Sequence, residues 1–402
     1  MVLMKTFKLA VMMFVQFLML PVWLIPLLPY VQGLEGGKDW VFACGLLMGI
    51  GTFASPLVGM FADRFLNAEK VLAICNALTA ALLGAAFFVK DPSVLFGVML
   101  AAMLVYMPTW SVSSAIVLAH APAATFARIR AIGSIGWVAS GLFSVIGAKV
   151  FGIGDFDATP WIFASGAGAA LLGAALALTM PATPPRAKGT PMSVIDALGL
   201  KAFALFRDPT FAAFGLLITL AMVPFCWYVA YNPVYLAESG FSYLTLTQNL
   251  GQVGEIVFML MVPFIVRKLG YKWALVTGMG AVMFRYAAFL VSVRFGLVAG
   301  DFAGILVHGL AFGILCVGSQ MYIDSAAPAE LKNQAQGLVM LLTNGVGLFL
   351  SNFVFYRLLE DNLVSSDPLR HAWTEPFEVA FIEALAVALA FILLFHPKKS
   401  KG

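Results

Sequence analysis

NLGQVGEIVFMLMVPFIVRKLGYKW, residues 249 to 273, carries one acidic residue, Glu255, inside an otherwise apolar run that closes on a basic turn of Arg267, Lys268 and Lys272. Gln252 stands three positions before Glu255, so in a helix both side chains fall on one face. At about 1.5 Å per residue, Glu255 lies about 18 Å from Arg267, near the middle of a bilayer core about 30 Å thick. A carboxylate at that depth costs several kcal/mol unless it is paired, protonated or wetted by a cavity. The stretch therefore reads as a membrane span with a functional residue at its centre and an anchor at its end.

The rest of the chain has the same character. Of its 402 residues 61% are hydrophobic and 11% charged, against a charged fraction of about 25% in soluble proteins. This is the composition of a polytopic membrane protein. The net charge of +4 is too small to suggest nucleic acid as a partner, and the positions of the basic residues have a better explanation in topology. Cys44, Cys75, Cys226 and Cys316 are scattered through apolar runs without a CxxC or a paired extracellular spacing, and read as packing residues. The first apolar run, after Lys5 and Lys8, is longer than a signal-peptide core and reads as the first span.

Runs of about 20 apolar residues give twelve spans: 9 to 31, 40 to 62, 71 to 89, 93 to 118, 129 to 152, 159 to 180, 209 to 236, 244 to 266, 273 to 293, 302 to 323, 334 to 357 and 376 to 396. An even number puts both termini on one side. That side collects Lys5, Lys8, Arg64, Lys70, Arg128, Arg130, Arg186, Lys188, Lys201, Arg207, Arg267, Lys268, Lys272, Lys332, Lys398, Lys399 and Lys401. The other side has only Lys38, Lys90, Lys149, Arg294, Arg357 and Arg370. Positive residues mark the cytoplasm, so both termini are expected there. The longest connection begins PATPPRAKGTP and also falls inside, which divides the chain into an N-terminal bundle at 1–180, a linker at 181–207 and a C-terminal bundle at 208–402.

The halves echo one another. The second span ends in GMFADRFLNAEK, residues 59 to 70, and the eighth in PFIVRKLGYKW, so each half has a charged turn after its second helix. Two six-helix repeats suggest a transporter with its site at the repeat interface. The first turn resembles the Gly-x-x-x-Asp-Arg signature of the major facilitator superfamily, with Gly59, Asp63 and Arg64 in place; Asp63 and Arg64 are read as structural or gating residues.

Arg285 is a second charge within the membrane. Counted from Lys272 it lies about 20 Å deep, matched to Glu255, and the two are placed to pair. A pair would lock the ninth span to the eighth; a direct role with substrate or proton is the alternative, and a pair that opens during transport satisfies both. Gln252 donates and accepts hydrogen bonds, which suits a base or a sugar, although helix-to-helix bonding is its plainer use. Asn232 precedes Pro233, which loosens the outer end of the seventh span. Trp23, Trp110, Trp137, Trp227, Tyr228 and Phe312 are able to stack on a planar ligand, although most aromatics in such proteins pack or sit in interfacial belts. Gln16 and Trp23 share a face in a first span interrupted by Pro21, Pro26 and Pro29, as in a cavity-lining helix. His308 titrates near neutral pH when unperturbed, and Glu383 lies deep enough in the last span to need a partner. His308, Glu383 and Glu255 are therefore the candidates for proton coupling. No P-loop, HExxH, GxSxG or metal-ligand spacing is present, so neither an enzyme, a metal site nor a cofactor is expected.

Taken together, FVQFLMLPVW at 14 to 23, GMFADRFLNAEKVLAIC at 59 to 75, YMPT at 106 to 109, RIRAIGSIGW at 128 to 137, LGLKAFALF at 198 to 206, QVGEIVFMLMVPF at 252 to 264, FRYAAF at 284 to 289 and AQGLVMLLTNGVG at 335 to 347 resemble the bacterial nucleoside:proton symporters of the major facilitator superfamily, typified by the enteric nucleoside permeases. The resemblance implies an all-α membrane protein with the major facilitator fold. It also implies that Gln252 and Glu255 bind the nucleoside, with Arg130, Ser134 and Trp137 lining the N-terminal side of the cavity. Thr109 and Asn344 lie in matching stretches and join the substrate-binding set, with Gln16, Trp23, Asn232 and Phe312. Two departures stand out. Phe225 and Tyr228 occupy seventh-span positions where the permeases offer a glutamine and an asparagine, so contacts there turn aromatic. The aspartate tied to proton coupling is replaced by Gly313, and a family tyrosine by His308.

The expectation is a nucleoside transporter of the bacterial inner membrane, working by alternating access with proton symport. Its partners are a nucleoside, a proton and membrane lipid, and it is expected to act as a monomer. The alternatives are uncoupled movement of nucleosides or modified nucleosides and, from another class, a membrane sensor on the same fold, against which the chain's ending at KKSKG without a signalling domain argues.

Overall fold

The computed structural model describes residues 2–121, 123–185, 200–328, 332–366 and 369–397. Among them, eleven stretches are long and apolar enough to cross a membrane. The helix Leu244–Phe295, of 52 residues, holds one more crossing than that count. A straight helix of that length would run about 78 Å, more than twice the apolar thickness of a bilayer. It turns instead at Gly270, where φ is 75° and ψ 165°, a backbone conformation open to glycine and costly for residues with a Cβ. The eighth and ninth spans thus meet at the basic turn, and the architecture is the all-α, twelve-helix major facilitator fold.

Several spans are not single helices. The first is Val2–Leu18 followed by Pro21–Gln32; Pro21 has no N–H to continue the ladder and opens a fresh helix instead. The second proceeds as Gly37–Trp40, Val41–Gly45, Leu47–Thr52 and Ser55–Arg64, a glycine-rich run of low helix propensity. The tenth and eleventh each contain a wider, π-helical segment, Gly313–Gly318 and Leu341–Gly347. The connection before the last span carries a short antiparallel hairpin, Leu363–Ser366 against Leu369–His371, which no periodicity in the sequence announces.

The chain divides into two compact units, Met1–Leu198 with Ser239–Asn249, and Gly199–Glu238 with Leu250–Gly402. In the first, the Ala- and Gly-rich helix Trp161–Leu178 packs along Ala68–Ala86 and against the first span. The start of the connection between the halves is held there: Thr183 N–H donates to Glu69 Oε2 at 2.8 Å, and Ala68 N–H to Thr183 O at 3.0 Å. Residues 186–199 lie outside the described residues. In the second unit, Glu238 at the end of Pro209–Glu238 accepts from His371 N–H, from His371 Nδ1 at 2.8 Å and from Trp373 Nε1 at 2.8 Å, which ties the hairpin to the seventh span. Both units expose large apolar side chains, among them Phe88, Leu178, Phe353, Ile382 and Leu393. In water such patches would aggregate; in a membrane they face lipid.

Candidate functional site

In the second unit, the position of Glu255 follows from three glycines. A Cβ at Gly309 would stand 2.1 Å from Glu255 N, one at Gly254 2.7 Å from Leu306 O, and one at Gly251 3.0 Å from His308 Cβ. Only small residues allow two helix backbones to approach so closely. The eighth and tenth spans therefore cross at Glu255. Its side chain is buried, at 6% exposed, and lies within electrostatic range of Cys316. Gln252, one turn earlier, is partly exposed, so the step reads from an accessible amide to a covered carboxylate.

Arg285 does not pair with Glu255. It is completely buried; its Nε donates to Gly304 O at 3.3 Å, its Nη2 lies 3.1 Å from His308 Nδ1, and its guanidinium sits 3.8 Å above the ring of Tyr228 and 5.7 Å from that of Phe225. Counting along a helix gives matched depth, but which way a side chain turns about the axis is set by packing. Phe225 stacks on His308 with centroids 5.4 Å apart, Tyr228 lies 5.1 Å from the same ring, and Phe312 closes the cluster at 6.0 Å. Phe225 and Tyr228 are thus already engaged with the Arg285–His308 pair, while Phe312 remains partly exposed. Gly313, buried, begins the π-helical turn just below.

In the first unit, Arg130 caps an aromatic ladder. Its guanidinium stands 3.9 Å from the ring of Phe17, which stacks on Trp110 at 5.0 Å, and Trp110 meets Trp137 edge-on at 6.2 Å. Arg130, Trp110 and Trp137 keep part of their surface open, and Ser134 is buried beside them in sequence. Phe17 was not singled out in the sequence because nothing separates it from the other apolar residues of its span. Gln16 and Trp23 line no open face. Gln16 Nε2 donates to Thr109 Oγ1 at 2.5 Å and its Oε1 accepts from Asn76 at 3.1 Å. Trp23 is fully buried against Gly166, where an added Cβ would stand 2.6 Å from its ring. Gln16, Thr109 and Trp23 therefore bind helix to helix.

The remaining candidates are dispersed. Asn232 is buried in the seventh span, and neither Gln252 nor Glu255 lines the small void that Asn232 shares with Trp227, Tyr228 and Tyr286. Trp227 stacks on Phe355 at 4.5 Å, within the core. Asn344 lies partly exposed in the π-helical turn, with Nδ2 3.5 Å from Met340 Sδ. Glu383 is half-buried, and its Oε2 is covered without a hydrogen-bond partner. Arg64 likewise has covered Nε and Nη2 atoms without one; the Asp63 side chain lies outside the described residues.

Besides Glu69, two further buried carboxylates escaped the sequence reading. Asp301 accepts from Tyr235 at 2.6 Å and Ser292 at 2.7 Å. Asp157, in the connection between the fifth and sixth spans, accepts from Ser144 at 2.7 Å and Thr245 Oγ1 at 2.9 Å. Burial pushes the Asp157 carboxyl above the usual carboxylate range, against the opposing effect of these hydrogen bonds. In sequence both look like ordinary polar residues at span ends.

Comparison with known proteins speaks to the family and the fold. The family model described as nucleoside H+ symporter matches residues 3–400. YegT of Escherichia coli (strain K12), described as a candidate nucleoside transporter, is 32% identical over 98% of this chain and 95% of its own length. The nucleoside permease NupG of the same organism is 25% identical over 97% and 96%. A crystal structure of a NupG mutant superposes with a TM-score of 0.86 at 23% identity, covering 98% of this chain and all of that one. A peptide transporter POT structure follows at 0.76 and 14%, covering 96% and 93%.

Proposed function

Since the chain belongs to the nucleoside H+ symporter family, we propose that it carries nucleosides across the bacterial inner membrane by alternating access, together with protons and with both termini in the cytoplasm. The observation that supports this most directly is the Gln252–Glu255 step: an amide open to a ligand, followed by a carboxylate that the Gly309 contact holds inside an apolar helix. A nucleoside offers ribose hydroxyls that donate to a carboxylate and a base edge that pairs with an amide. The Phe17–Trp110–Trp137 ladder in the first unit supplies faces on which a base stacks, with Arg130 at its end. Gln252, Glu255, Arg130, Ser134 and Trp137 are the residues assigned to the nucleoside. Gln16, Thr109 and Trp23 are assigned to the frame that holds them.

The test is counterflow in liposomes holding purified protein, with labelled uridine, adenosine and a sugar, with and without an inward proton gradient. Nucleoside counterflow that the sugar does not share is the expected result; its absence with every nucleoside overturns the reading. Glu255→Gln is expected to lower uptake at least tenfold, a loss of about 1.4 kcal/mol or more in ligand stabilisation, while thermal stability stays near that of the parent. Loss of stability together with uptake would make Glu255 a residue of the frame instead. Net uptake that ignores the gradient would mark an uncoupled carrier.

A further inference from the structure

Resting on the reading of this chain as a carrier of nucleosides and protons, we infer that His308 is the residue that takes up the coupled proton, and that it does so only in exchange for Arg285. A guanidinium has five N–H donors and no acceptor. At 3.1 Å from Arg285 Nη2, His308 Nδ1 must therefore be the accepting atom, and the neutral ring holds its one hydrogen on Nε2. A second proton can go only to Nδ1, the atom that Arg285 occupies. Adding it there sets N–H against N–H and two positive charges side by side in a site where both side chains are buried. Proton in and arginine out are thus one event: the Nδ1–H bond forms, the Nη2–H hydrogen bond to Nδ1 breaks, and the guanidinium stays protonated throughout.

Arg285 is held in a way that permits this departure. Its contacts are one carbonyl, His308, the Tyr286 hydroxyl and two ring faces, and its Nη1 is covered without a hydrogen-bond partner. Ring faces, one carbonyl and a neutral hydroxyl hold a guanidinium less firmly than a bidentate carboxylate does. The groups that face His308 can be named helix by helix. The seventh span brings Tyr228, and the ninth brings Arg285 with Tyr286 beside it. The eighth brings Gly251 against the His308 Cβ and, one turn on, Glu255. On its own helix stand Cys316 and Asp301, the latter taken by Tyr235 and Ser292. The twelfth places Glu383 within electrostatic range of Tyr286, while Arg285 is the charge that acts on His308 itself.

The experiment compares wild type, His308→Gln and Arg285→Gln in liposomes, reading nucleoside counterflow, accumulation under a one-unit inward proton gradient, and the pH profile of uptake. One-to-one coupling turns that gradient into about tenfold accumulation, since about 1.4 kcal/mol is a factor of ten. A glutamine oxygen accepts from Arg285 as Nδ1 does but takes no proton, so His308→Gln is expected to exchange nucleoside while its gradient-driven accumulation falls to about one. Arg285→Gln leaves Nδ1 open, so its uptake is expected to hold to higher pH than the parent's, a shift that general loss of packing would not produce. Undiminished accumulation by His308→Gln overturns the inference, as does wild-type accumulation that is indifferent to the gradient. If His308→Gln fails to fold, the pH profile of Arg285→Gln decides: an unshifted profile overturns it. Failure of all nucleoside counterflow in wild type counts instead against the substrate reading.

Discussion

Arg285 and Glu255 show what a residue's surroundings add to its identity. Their depths match because each is counted from the same basic turn, yet the guanidinium lies against His308 and Tyr228. Helical rise fixes depth, while direction depends on which neighbouring helices leave room. Glu255 was legible from the sequence because a charge in an apolar run is costly wherever it points. Asp157 was not, because a carboxylate at a span end looks solvated until the fold buries it at 2% exposure under Ser144 and Thr245. Its raised titration makes a prediction. A group whose folded pKa lies above its unfolded value contributes stability below the unfolded pKa, and that contribution is lost as pH rises through the folded value. Asp157→Asn keeps an accepting oxygen and carries no charge. Thermal unfolding in detergent should therefore show the variant gaining on wild type as pH rises above the ordinary carboxylate range; a constant difference would mean that Asp157 does not titrate there.

At the scale of elements, length and hydropathy located the spans, because burying twenty residues' worth of backbone in lipid leaves little choice but helix. They did not locate the breaks. The π-helical turns at Gly313–Gly318 and Leu341–Gly347 depend on how neighbouring helices press on the ladder, and wide turns of this kind recur at functional sites. The crossing at Gly309 is similar: the glycine is visible in HGLAFGILC, but the Glu255 backbone lying against it is not. Gly309→Ala should destabilise the protein by about 1 to 3 kcal/mol, the usual cost of overpacking, and reduce nucleoside uptake by moving Glu255. Gly168→Ala is the matched control, since a Cβ there meets nothing within 4 Å. Equal unfolding temperatures and uptake for the two variants would show that the crossing tolerates the extra methyl group.

For the whole molecule, the distribution of Lys and Arg predicts orientation. Single cysteines at exposed Lys90 and Lys268, in a background without the four native cysteines, should separate cleanly: an impermeant maleimide labels position 90 in intact cells and position 268 only in opened ones. Labelling of both from outside would contradict cytoplasmic termini. At the end of the seventh span, Glu238 gathers three donors from His371 and Trp373. Glu238→Ala should lower stability by about 1 to 3 kcal/mol, as expected where hydrogen bonds to a charged acceptor are lost, and should expose 363–371 to protease; unchanged proteolysis would show that the hairpin holds without the carboxylate.

By itself the sequence determined the solvent this chain folds in, the number of its crossings and the helix that bears Glu255. Each of these follows from local composition and from the thickness of a bilayer, which are the same wherever the helices end up. Only the tertiary structure decided which buried groups meet. It gave Gln16 to Thr109, Arg285 to His308 and Asp157 to Ser144 and Thr245, because partners distant in the chain are chosen by the angles at which helices cross, and those angles are set by the packing of all the helices together.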